Sequence, residues 1–253
     1  MSTPNFRFKQ FTVWHDQCAM KVGTDGVLLG AWCPITDNPS TVTHILDVGT
    51  GSGLVALMMA QRCPEAQIDA IDIDEVAVNQ AKENFQNSVF SHQLSAFKHS
   101  LQEWSNLQSP ITNNQSAITN HPCYDLIVSN PPYFQNSLKN PDKGRELARH
   151  TDSLPFEELM AHSARLLKED GQLALILPAE AEQEIRTIAA RHSLYCTRVT
   201  RVYSKETKPA RRVLLAFSRQ PSAVSPIEDT LVLENEIGGR SAAYSELCKE
   251  FYL

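Results

Sequence analysis

His44-Ile45-Leu46-Asp47-Val48-Gly49-Thr50-Gly51-Ser52-Gly53 is a short strand running into a glycine-rich turn, and Leu54 to Ala60 continues it as a helix. Glycines at 49, 51 and 53 let the backbone turn tightly and come within contact distance of a ligand. The spacing is not the full dinucleotide fingerprint, and no lysine follows as a phosphate-binding loop requires. A second strand, Ile68-Asp69-Ala70-Ile71-Asp72-Ile73-Asp74, carries acids at its carboxyl end. An acid about twenty residues past the glycines is placed to accept hydrogen bonds from both ribose hydroxyls of a nucleoside. Asp72 suits that role, while Asp74 suits the cap of a helix over 75–85. A nucleoside cofactor without a diphosphate signature points to a methyl donor.

Further along, Tyr124-Asp125-Leu126-Ile127-Val128-Ser129 reads as a buried strand and ends in Asn130-Pro131-Pro132-Tyr133. Two prolines straight after a strand stiffen its exit from the sheet. Asn130 offers a side-chain acceptor, Pro131 a carbonyl with no N–H beside it, and Tyr133 a flat ring. The set suits a planar nitrogen carrying two hydrogens. A rigid proline turn is the alternative for the tetrapeptide taken alone. The order of motifs predicts the glycine turn and Asn130 side by side, at the carboxyl ends of neighbouring central strands.

Taken together, these motifs resemble the class I S-adenosylmethionine-dependent methyltransferases that modify amino groups. The segment Phe11 to Trp32, with Met20-Lys21-Val22-Gly23-Thr24-Asp25-Gly26 at its centre, resembles the opening of the bacterial tRNA1(Val) adenine-37 N6-methyltransferases. The resemblance runs from about Phe6 to Arg219. It implies a Rossmann-like α/β fold with a seven-stranded, mostly parallel sheet whose last strand is antiparallel. It implies S-adenosyl-L-methionine over Asp47, Gly49 and Gly51, with Asp72 on the ribose and Asn130 beside the methyl group. Lys21, Gly23, Thr24 and Asp25 form a lip across cofactor and substrate. Asn130, Pro131 and Tyr133 hold the target base, adenine 37 of a valine tRNA. Relatives carry an aspartate after the third strand, bonded to the cofactor's adenine; Ser100 stands there in this chain. Its hydroxyl can accept that bond without charge assistance. Either affinity is lower or Gln102 or Glu103 helps.

The chain has 253 residues, 42% of them hydrophobic, enough for one sizeable core. No apolar run approaches the ~18 residues of a membrane span, and Met1 to Asn5 has no apolar signal core, so a cytoplasmic protein is expected. Cys18, Cys33, Cys63, Cys123, Cys196 and Cys248 are scattered and read as reduced thiols. His15 and Cys18 lack further partners in sequence, and no metal is expected. The formal charge of −6 argues mildly against nucleic acid. Distribution argues the other way: Arg191, Arg198, Arg201, Lys205, Lys208, Arg211, Arg212 and Arg219 fall in one stretch whose sole acid is Glu206. Lys139, Lys143, Arg145, Arg149 and His150 follow Tyr133. An ordinary solvated face is one reading of these stretches. A folded RNA, held mainly through Lys139, Lys143, Arg145, Arg198, Arg201, Arg211 and Arg212 and by shape more than by a dense phosphate clamp, is the other.

Three regions are expected: an N-terminal strand and helix over 1–35, a methyltransferase core over 36–220, and a strand and helix tail over 221–253. A polar insertion at 105–122, rich in Asn, Ser, Gln and Thr, separates the third and fourth strands. Helices are expected at 26–32, 155–167, 180–191 and 241–251, with Lys168-Glu169-Asp170-Gly171 stopping the second. Strands are expected at 171–178, 194–203, 211–217 and 231–233. A monomer is expected. Other amino-group substrates stay open: guanine N2 in rRNA, adenine N6 in DNA and a protein glutamine amide all fit the same tetrapeptide. Outside the enzyme class, the alternative is an RNA-binding adaptor with an inactive cofactor site.

Overall fold

A computed structural model describes residues 4–18, 21–35, 38–107, 124–131, 154–221 and 224–253. Five strands align in parallel: β3 (His44–Val48), β4 (Gln67–Asp72), β5 (Leu94–Lys98), β6 (Tyr124–Ser129) and β7 (Leu167–Pro178). All but the edge strand β5, where Ser95 and Lys98 are exposed, are largely buried on both faces, which is why they read as apolar runs rather than clean alternations. Beyond β7 come β9 (Ala210–Ser218), β8 (Tyr195–Tyr203) and β10 (Ile227–Val232). The sheet therefore has eight strands, in the order β10-β8-β9-β7-β6-β3-β4-β5, and not the expected seven. Only β9 runs against the others, since it pairs antiparallel with both β7 and β8 while β10 pairs parallel with β8. The eighth strand was expected only as 231–233. Its first half, Ile227-Glu228-Asp229-Thr230, has too little apolar character to announce a strand.

Period-two alternation divides the core into two layers. Ile45, Ile68, Ala70, Leu126, Val128, Ala174, Ile176, Leu214 and Ala216 face one way, against α1 (Thr24–Trp32), α2 (Leu54–Arg62) and α3 (Glu75–Gln86). Leu46, Ile71, Ile127, Leu173, Leu175, Val213 and Leu215 face α4 (Leu101–Leu107), α5 (Phe156–Leu166) and α6 (Glu182–Arg191) on the other side. The expected N-terminal extension is a hairpin of β1 (Asn5–Arg7) and β2 (Thr12–Trp14), followed by α1. The C-terminal helix α7 (Ala242–Leu247) is N-capped by the Ser241 hydroxyl, which accepts from the Tyr244 amide at 3.0 Å.

Three local expectations are corrected. Residues 101–107 form helix α4, so the polar insertion cannot begin at Ser105, which is buried in that helix. Residues 108–123, which hold most of that insertion, lie outside the described residues. Lys168 to Gly171 do not simply end a helix but belong to β7. There they form an excursion between the pairs Tyr124↔Leu167 and Leu126↔Gln172, pinned by the Lys168 ammonium 2.6 Å from Asp125 Oδ1. Finally, the strand of the expected 221–253 tail does more than pack on the core, since β10 joins the main sheet as an edge strand.

Candidate active site

At the carboxyl end of the central strands, Val48 and Ser129 are register partners, and the Ser129 hydroxyl donates to the Val48 carbonyl at 2.7 Å. The next residue of each chain segment is Gly49 and Asn130. They leave the sheet side by side, as the order of motifs predicts. The turn after Gly49 is tied to the neighbouring strand, because the amides of Gly49 and Thr50 both donate to the Ile71 carbonyl, at 2.9 and 3.0 Å. Gly49, Gly51 and Gly53 all have positive φ, at 73°, 55° and 82°. A Cβ at Gly49 or Gly51 would meet nothing within 4 Å, whereas one at Gly53 would lie 2.4 Å from the Phe85 ring. The first two glycines thus open the backbone to a ligand, and the third seats α2 against α3.

Asp72 is fixed at the end of β4. Its Oδ2 accepts from the Gly51 amide at 2.9 Å and its Oδ1 from the Asp74 amide at 3.0 Å. Each oxygen keeps a further lone pair, which a vicinal diol can use. Burial raises its pKa, with backbone hydrogen bonds from Asp74, Gly51 and Ile73 pulling the other way and the Asp74 carboxylate adding to the rise. Asp74 caps α3 as expected, accepting from the Val76 amide at 2.9 Å. Asp47 is 1% exposed. One of its oxygens, Oδ2, accepts both the Thr50 hydroxyl at 2.7 Å and the Ala56 amide at 3.2 Å. Burial pushes its carboxyl up to about 7, against those hydrogen bonds, and the nearby Asp72 carboxylate adds to the rise.

Around these groups lies a cavity of about 1270 Å³. It is lined by the glycine turn, Asp47, Asp72, Asn130 and Pro131, and by Lys21, Gly23, Thr24 and Asp25 of the lip. Ser100 also lines it, but its polar groups serve α4: its amide donates to Glu103 Oε2 at 3.0 Å and its hydroxyl accepts the Glu103 amide at 3.2 Å. This reciprocal capping box turns Glu103 back onto the helix. Of the two proposed helpers, Gln102 lines the cavity. Cys18, Ile73 and Leu101 also reach it, and none was assigned to the cofactor site from sequence. Ile73 carried a signal: a large apolar residue between two acids, it is 50% exposed.

The basic stretch behaves differently from expectation. Arg198 Nη2 lies 2.7 Å from Asp229 Oδ2, with its guanidinium 5.1 Å from the centre of the Trp32 ring. Arg201 is bound by Glu182 at 2.6 Å and Glu228 at 3.1 Å. Arg212 Nε donates to Asp25 Oδ2 at 2.8 Å, which ties β9 to the lip of the cavity. Arg211 is exposed at the start of β9, the same end of the sheet as the glycine turn. Strand alternation sends Arg198 and Arg201 to opposite faces, while Arg211 sits at an irregularity of the β8–β9 register, between the pairs Val202↔Arg212 and Tyr203↔Ala210. The four do not form one patch. Tyr133, Lys139, Lys143 and Arg145 lie outside the described residues. No helix among the described residues is long and apolar enough to cross a membrane, and no group of three or more His, Cys, Asp or Glu among them is arranged to hold a metal ion.

The methyltransferase small domain family matches residues 35–198. The chain is 46% identical to the tRNA1(Val) (adenine(37)-N6)-methyltransferase of Parabacteroides distasonis and 43% identical to that of Bacteroides thetaiotaomicron. Both comparisons cover 100% of this chain and 99% of the relative. Among solved structures, a predicted O-methyltransferase from Agrobacterium tumefaciens superposes with a TM-score of 0.64 over 90% of this chain and 96% of that one. At 17% identity, it is similar in fold alone.

Proposed function

The chain belongs to the methyltransferase small domain family, alongside full-length bacterial tRNA1(Val) (adenine(37)-N6)-methyltransferases, and on that premise we propose that it methylates N6 of adenine 37 in tRNA1(Val). The observation that carries the reading is the juxtaposition of the glycine turn with Asn130 and Pro131 on one cavity, fixed by the Val48↔Ser129 register.

The residues present fit S-adenosyl-L-methionine. The positions at Gly49 and Gly51 are open, Asp72 retains acceptor capacity on both oxygens, and Ile73 and Leu101 offer apolar surface for a base. When bound, this cofactor supplies a methyl group on a positively charged sulfur, and its loss leaves a neutral thioether. Asp72 would hold the ribose, with the backbone of Gly49 and Gly51 alongside the methionine portion. Asp47 serves mainly to brace the turn, through Thr50 and Ala56.

Neither a metal nor a covalent enzyme intermediate is required, so the protein's contribution is placement. The lone pair of an adenine amino nitrogen is delocalised into the ring, which makes it a weak nucleophile. The Asn130 side-chain oxygen and the Pro131 carbonyl accept its two N–H groups, favour a pyramidal nitrogen and stabilise the positive charge that grows there. Those bonds strengthen along the reaction and so act on the transition state. Tyr133 stacks on the base, worth about 1–3 kcal/mol on other nucleic-acid platforms. An unpaired anticodon-loop base needs less unstacking than one flipped from a duplex. Lys139, Lys143, Arg145 and Arg211 supply phosphate contacts. Arg198, Arg201 and Arg212 contribute less directly, because acids of this chain already hold them.

The deciding experiment is nucleoside analysis of bulk tRNA after reaction with labelled S-adenosylmethionine. The expected product is labelled N6-methyladenosine, mapped to position 37 of a valine tRNA. Label found only in guanosine of rRNA, in DNA or in protein glutamine would replace this substrate and keep the methyl transfer. Cofactor binding without any transfer would favour an adaptor.

A further inference from the structure

We propose that Asn84 is a positioning residue that makes the N-terminal arm and the cofactor-binding turn move as one unit. The inference rests on the reading that S-adenosylmethionine binds at the glycine turn. Asn84 lies in α3, fully buried, and does not itself line the cavity. Its Oδ1 accepts from the Trp14 amide at 2.9 Å, and its Nδ2 donates to the Trp14 carbonyl at 2.8 Å. A second Nδ2 bond runs to the Ser52 carbonyl, inside the glycine turn, also at 2.8 Å.

This set of partners requires a carboxamide. One acceptor meets an N–H, and two donors meet carbonyls; neither a carboxylate nor a flipped amide satisfies all three. One helical turn earlier, Gln80 is 1% exposed, and its Oε1 accepts the Gln17 amide at 3.2 Å. Two buried amides on one face of α3 therefore read the backbone of residues 14–17. Four positions further along the chain, Lys21 to Asp25 line the cavity. A buried, fully satisfied network leaves little freedom for one partner to move without the others. A ligand that orders Ser52 therefore orders Trp14 through a single side chain, and with it the approach to the lip.

The test labels the three tryptophans with 5-fluorotryptophan and follows Trp14 by 19F NMR as S-adenosylmethionine is added, with calorimetry in parallel. Trp14 does not line the cavity, so direct contact does not explain a response there. In the wild type, the Trp14 resonance is expected to shift and sharpen with the same saturation curve as calorimetry. A resonance that ignores saturating cofactor overturns the proposal without any variant being made. In Asn84→Ala and in the isosteric Asn84→Asp, the Kd and KM for S-adenosylmethionine should rise about tenfold, the scale of the single bond to Ser52 that reaches the glycine turn. Turnover at saturating cofactor should stay within about twofold of the wild type. In folded Asn84→Ala the Trp14 response should also vanish. A variant that keeps the wild-type Kd, or whose Trp14 still follows the cofactor, shows that Asn84 merely fastens the arm. Wild-type protein that binds no S-adenosylmethionine by calorimetry defeats the functional reading itself, and this inference with it.

Discussion

Two residues at the mouth of the sheet illustrate how one site sets different chemistry on neighbouring positions. Asn130 follows a buried strand, and in the proposed reaction its partners come from outside the protein. Asn130→Ala should therefore leave S-adenosylmethionine affinity nearly intact while lowering the single-turnover methylation rate by at least about a hundredfold, as for other groups acting in the transition state. Rapid-quench kinetics beside calorimetry separates the two effects, and a loss confined to cofactor affinity would count against its assigned role. Asp47 is the opposite case, since its partners are all internal. Burial lifts its pKa from 3.8 to about 7, so the folded state holds this proton more tightly than the unfolded chain. Its contribution to stability is therefore greatest at low pH and declines as pH rises through that window, by roughly 1 kcal/mol per pH unit. Both internal donors use Oδ2 alone, so an amide oxygen in its place retains both bonds. Asp47→Asn should remove this slope, as measured by denaturant unfolding between pH 5 and 8, and should be the more stable protein at the upper end.

At the level of elements, helix α1 is the joint between the lip and the core. A Cβ on Gly30 would lie 2.5 Å from Met58 Sδ and 2.9 Å from Met58 Cβ, so the glycine lets α1 approach α2 closely. Met58 is fully buried and has nowhere to retreat. Gly30→Val should cost about 1–3 kcal/mol through overpacking, seen as a lower thermal midpoint, with Met58→Ala recovering part of the loss. The far end of the same helix is anchored by the Trp32 indole, which donates to the Thr200 hydroxyl at 2.7 Å. Strand β10 completes that region: Asp229 meets Arg198 and Thr200, and Glu228 meets Arg201. The strand that composition concealed and the basic patch that composition overstated are two sides of one arrangement. Acids of an edge strand neutralise arginines of its neighbour.

Across the whole molecule, a net charge of −6 means that affinity for tRNA depends on where cations are left available. Arg211, exposed at the carboxyl end of the sheet, is a phosphate contact in the proposed complex, whereas Arg201 belongs to an ion-pair network with Glu182 and Glu228. Arg211→Glu should weaken tRNA binding and reduce the slope of log affinity against log salt by about 1, leaving turnover at saturation little changed. Arg201→Ala should instead lower the thermal midpoint and leave tRNA affinity as it was. Fluorescence anisotropy across a salt series, beside thermal unfolding, distinguishes the two. Equal effects on both readouts would mean that the two arginines do not divide the labour in this way.

The sequence by itself determined the centre of the protein. The apolar runs of β3, β4, β6 and β7, the glycines at 49, 51 and 53, Asp72, the Asp74 cap and the placement of Asn130 were all legible, because each is set by neighbours a few residues away. Helix period, turn chemistry and strand burial act at that range. What only the tertiary structure decided depends on partners distant in the chain. Asp229 reaches Arg198, Asp25 reaches Arg212, and Asn84 reaches both Trp14 and Ser52. Local pattern carries no record of such pairs: a charge looks equally solvated whether it faces water or an acid folded onto it, and a buried amide looks like any polar residue on a helix. Only packing the chain into two layers over one sheet shows which of these groups keep their partners inside the protein and which are left to meet a ligand.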